Sequence, residues 1–138
     1  MGVGSKARAM PRRLRRARLH LTPQAFDRLV QEALDALPPW VQDRLAAVAV
    51  VVEAEPPADE DPDLLGLYSG PTLFGESSLA APPLIRIFQG PHERLCRTRA
   101  ELRREVAETV LHEIAHHFGL EEGDLDRLGP LRLPERQG

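Results

Sequence analysis

A helix bounded at both ends by its own sequence dominates the C-terminal part of the chain. Thr98 and Glu101 form the Thr-x-x-Glu capping-box pattern, just ahead of a long periodic segment. Leu102, Val106, Val110 and Ile114 form one apolar row, and Ala107, Leu111, Ala115 and Phe118 form the adjacent one. Together the rows predict a broad stripe buried against the rest of the fold. Gly119 then offers a residue free to turn left-handed, which ends the helix sharply.

The remaining elements are shorter. Thr22 and Pro23 are an N-cap and first-turn pair, and Phe26, Leu29, Val30, Ala33, Leu34 and Leu37 follow at helical spacing. Pro38 and Pro39 interrupt that helix. Trp40, Val41 and Leu45 predict a short second one running into residues 48–52, whose three consecutive valines read as a buried strand. Residues 54–63 are acidic and proline-rich, the composition of a solvated loop, and residues 64–68 form a short extended piece. Residues 84–89 read as a further strand, ended by Pro91.

With 138 residues the chain has room for one domain and one core. Aromatic residues are sparse, so Leu, Val, Ile and Ala must build that core. The net charge of −3 is unevenly spread. Lys6, Arg8, Arg12, Arg13, Arg15, Arg16 and Arg18 precede any acidic residue, leaving −10 for the rest. Residues 1–20 are therefore read as a disordered basic extension, and residues 21–138 as the folded domain. Such an extension can also contact nucleic acid.

No stretch has the ~18–20 consecutive apolar residues of a membrane helix, and no apolar signal core follows the basic start. Lys6 stands where a myristoylation signal needs Ser or Thr. The lone Cys96 can form no internal disulfide and reads as a small buried apolar residue. These features predict a cytoplasmic protein without a membrane partner.

The chemistry lies on the long helix, in the pattern HExxH formed by His112, Glu113 and His116. Imidazoles four residues apart project from one face and can share a metal, zinc above all, although Mn and Co accept similar ligands. Glu113 is displaced around the helix, placed to act as general base toward the water that zinc activates. A catalytic zinc needs a third protein ligand. Glu122, three residues past Gly119, completes HExxHxxGxxE and parallels the metzincin HExxHxxGxxH spacing; Glu121, Asp124 and Asp126 compete for the role. His117 points elsewhere, as an outer-sphere or surface residue. His92 and His20 read as loop or helix-flank histidines, and Tyr68 as packing beside the acidic loop.

The strings LIRIFQGPHERLC and TVLHEIAHHFGLEEGDLDRLG, with GlyLeuTyr at residues 66–68, resemble a small bacterial zincin-like metallopeptidase family formerly known as a domain of unknown function. The resemblance implies a compact α+β zincin-like domain with a small sheet packed against the HExxH helix. It also implies His112, His116 and a following acidic residue as zinc ligands, Glu113 as base and a peptide or protein substrate. By position, residues 84–89 would be the cleft strand that pairs with an extended substrate. Many members carry Asp where Glu122 stands, and with Met1 and Met10 the only methionines, the metzincin methionine turn is missing. The competing reading is a non-proteolytic zinc-binding module that docks to nucleic acid or protein through its basic extension.

Overall fold

A computed structural model describes residues 19–70 and 82–119. Nearly all of the basic extension, together with Glu121, Glu122, Asp124 and Asp126, lies outside the described residues.

Helix α1 spans Pro23–Asp35, with the Thr22 hydroxyl accepting from the Ala25 N–H at 3.0 Å. Helix α2, Pro39–Arg44, follows a tight turn. That turn is held by the Gln42 side-chain amide, which donates to the Leu37 carbonyl in the turn at 2.7 Å and to the Asp35 carbonyl left over at the end of α1 at 3.3 Å. Trp40 leaves the second helix about half exposed and stacks obliquely on Phe118, with ring centroids 6.2 Å apart.

The sheet has three strands, β1 (Ala49–Glu53), β2 (Gly66–Ser69) and β3 (Leu84–Phe88), in the order β1-β3-β2. β1 runs parallel to β3, and β2 antiparallel to it. β3 is thus the central strand. It has no open side for a substrate, which corrects the expectation drawn for residues 84–89. The strand also stops one residue early, because Gln89 opens helix α3, Gln89–Leu95. Pro91 falls in the first turn of α3, where its missing N–H is harmless, so it belongs to a helix start rather than a strand end. The Gly90 N–H donates to the Ala54 carbonyl at 2.8 Å, and a Cβ on Gly90 would stand 2.9 Å from that same oxygen.

Helix α4, Arg99–His117, is capped by Thr98, whose hydroxyl accepts from the Glu101 N–H at 3.1 Å. Glu101 answers as the capping box requires, accepting from the Thr98 N–H and also from the Arg97 N–H at 2.7 Å. At the other end Gly119 has φ 78° and donates to the His116 carbonyl at 2.9 Å.

Both apolar rows of α4 are largely buried. Leu102, Val106, Val110 and Ile114 meet Phe26 and Val30 of α1 and Ile85 and Ile87 of β3 in one core. Each such side chain contributes roughly 1.5–3 kcal/mol on burial, so the core fixes α4 firmly against the sheet. The result is the expected α+β architecture, a small sheet on one long helix. Cys96 is buried in the same core. Residues 54–63 form the expected loop. Its Glu55 accepts from both terminal guanidinium nitrogens of Arg94 at 3.0 and 3.1 Å, while Arg94 also donates to the Pro62 carbonyl at 2.9 Å. No helix among the described residues is long and apolar enough to cross a membrane.

Candidate metal centre

The last turns of α4 bring His112, Glu113 and His116 together, with one ligand-type atom of each lying within 4.8 Å of the others. The imidazole centroids are 4.7 Å apart. His112 is half-buried and His116 exposed, whereas Glu113 is only 5% exposed, so the metal-binding types face outward beside a carboxylate sealed from solvent.

β2 does the sealing. Thr109, Glu113 and His117 repeat every four residues along α4, all three are buried, and β2 lies along their row. A Cβ on Gly66 would stand 2.7 Å from Thr109 Cγ2 and 3.2 Å from Glu113 Cγ. Only a residue without a side chain permits so close a contact. Two positions on, the Tyr68 main-chain N–H donates to the Glu113 carboxylate. The Tyr68 hydroxyl lies 2.9 Å from His117 Nδ1. Tyr68 therefore packs on the helix rather than beside the acidic loop, and His117 is a buried partner of β2.

Glu113 Oε1 is buried and has no hydrogen-bond partner among the described residues. His116 Nδ1 lies 3.2 Å away, an ion-pair partner when the imidazole is protonated. Burial pushes the Glu113 pKa above the ordinary carboxylate value, against the pull of His116, His112 and the Tyr68 N–H. A buried acceptor without a donor, next to two imidazoles, fits a divalent cation and its water. Burial also holds His117 below and Tyr68 above their ordinary values, so both are neutral near pH 7 and share one hydrogen bond whose direction the imidazole tautomer sets.

His92 is buried in α3 rather than flanking a helix. Its Nδ1 lies 2.7 Å from the Phe88 carbonyl and its Nε2 2.8 Å from Thr109 Oγ1. Sequence reasoning missed the roles of His92, Thr109 and His117. A usable signal existed for two of them, since Thr109 and His117 stand four residues before and after Glu113, on the same row of the helix.

A sequence model of zincin-like metallopeptidases matches residues 45–130, from the end of α2 past Gly119. Among solved structures, a conserved hypothetical protein from T. thermophilus is similar at 28% sequence identity and a TM-score of 0.50, the match covering 78% of this chain and 97% of that one. No curated protein matches. The family match spans the whole sheet, the helix with its two histidines, and the glycine that ends it; the chain belongs to the zincin-like metallopeptidase family.

Proposed function

We propose that this protein is a zinc-dependent peptidase in which Glu113 is the general base. The observation that carries the reading is Glu113 Oε1, a buried acceptor without a hydrogen-bond partner among the described residues, beside His112 and His116. His112 and His116 would hold the zinc, with Glu122 as third protein ligand. When bound, zinc supplies Lewis acidity toward water and the substrate carbonyl. Glu113 accepts the proton of the attacking water and returns it to the leaving amine. Burial, which raises its pKa, makes it a stronger base toward that water than an exposed carboxylate. The substrate class is a peptide or protein, which the family membership supports.

The deciding experiment is zinc titration of wild type and Glu113→Gln, followed by incubation of each with a peptide library. Both should bind one zinc, and the variant should lose about 10²–10⁴ in cleavage rate. A zinc-loaded wild type that cuts no peptide would overturn the reading in favour of a zinc-binding interaction module.

A further inference from the structure

β2 meets α4 along one edge. The Leu65 carbonyl accepts from the Phe88 N–H at 2.9 Å, and Gly66 stands opposite Ile87. In an antiparallel pair the main-chain groups alternate, so residues 65, 67 and 69 face β3 while Gly66 and Tyr68 turn theirs to the outer edge. There the Tyr68 N–H meets the Glu113 carboxylate. The hydroxyl of the same residue meets His117, one helical turn beyond Glu113. One residue thus holds two successive turns of a single helix face.

We propose that Tyr68 is the positioning residue for Glu113: its hydroxyl, bonded to His117, fixes β2 on the helix, so that its N–H holds one carboxylate oxygen and leaves Oε1 for the reacting water. A glutamate otherwise rotates about several single bonds, and proton transfer weakens quickly as the base moves from its place. The close approach at Gly66 supplies the second constraint on the same side chain. The catalytic consequence rests on the peptidase reading above, while the structural one stands without it.

The test uses the full-length protein. In the metal-free state, Glu113→Ala should speed hydrogen exchange at the Tyr68 amide about tenfold or more, the weight of a hydrogen bond to a charged group, while the Leu67 amide that faces β3 keeps its rate. In the zinc-loaded state, with the library peptide that wild type cleaves fastest, Tyr68→Phe should lower kcat about tenfold with KM and zinc affinity unchanged. His117→Leu combined with Tyr68→Phe should lose no more than Tyr68→Phe alone, and His117→Asn, whose amide keeps a hydrogen-bonding atom near Nδ1, should retain most of the rate. Unaltered Tyr68 exchange in Glu113→Ala, or full kcat in Tyr68→Phe, overturns the proposal. If wild type cuts no peptide, the peptidase reading falls and the exchange arm alone decides whether Tyr68 holds Glu113.

Discussion

His92 Nε2 lies 2.8 Å from the hydroxyl of Thr109, with the imidazole wholly buried. The Phe88 carbonyl on the other side can only accept, so Nδ1 carries the proton of the neutral ring, while the single hydroxyl proton of Thr109 is shared between His92 Nε2 and the Glu105 carbonyl, 3.0 Å away. This histidine joins α3 and the end of β3 to the helix that carries the candidate site.

A pH dependence follows from it. Burial holds His92 below its ordinary value of 6.5, so the unfolded chain takes up a proton that the folded chain refuses. The stability contributed by the neutral ring is fully present above about pH 6.5 and is lost as the pH falls toward the lower folded-state value. His117 is shifted the same way and adds slope of the same sign. In thermal melts of the metal-free protein, His92→Gln should melt lower than wild type at pH 7, by a margin that shrinks as the pH falls to 5. An unchanged slope in the variant would assign the dependence to other groups.

Glu113 carries the opposite linkage. Its folded-state pKa is raised, chiefly by burial, so folding becomes less favourable as pH rises past the unfolded value of 4.5, and the full penalty stands once the folded carboxyl has ionised. Glu113→Gln removes that penalty. Metal-free Glu113→Gln should therefore melt above wild type at neutral pH, by a margin that shrinks as the pH falls toward 4.5, while losing hydrolysis. A melt at or below that of wild type would show that the ionised carboxylate is not destabilising.

Gly66→Ala would force a methyl group against Thr109 Cγ2, at 2.7 Å, and against the strand β3 carbonyl of Arg86, at 3.3 Å. Overpacking of this kind costs about 1–3 kcal/mol. Denaturant melts should show that loss, and Thr109→Ser in the same chain, which deletes the offending methyl, should recover much of it. A double variant no more stable than Gly66→Ala would place the strain elsewhere.

Zinc affinity distinguishes the proposed ligands. His112→Ala and His116→Ala should abolish measurable zinc binding in chelator competition. Glu122→Ala should weaken it by more than the 10–100-fold typical of groups outside the ligand sphere. Full affinity in Glu122→Ala would transfer the third position to one of Glu121, Asp124 or Asp126.

What could be read in the sequence was what is decided locally. Thr22 with Pro23, Thr98 with Glu101, and Gly119 each act on the turn in which they stand, and all three mark helix ends in the folded chain. The trio His112, Glu113 and His116 was legible for the same reason, its spacing being a property of one helix. α3 was not legible, because its first residue has no capping side chain before it, and what holds it in place lies far off in the chain. The Gly90 N–H reaches Ala54, and the Glu93 carboxylate takes the Leu21 N–H at 2.8 Å. The central position of β3 depends likewise on parallel pairing with β1, which no short pattern encodes. Tyr68 looked like loop packing because its partner, His117, is 49 residues away.

Trp40 is the chain's single tryptophan, and it rests on Phe118, the residue that closes α4 just after His116 and His117. Half in solvent and half on that ring, its indole is a built-in optical probe of the helix end from which the chain departs toward Glu122. Intrinsic fluorescence, with no label added, should follow zinc loading in real time.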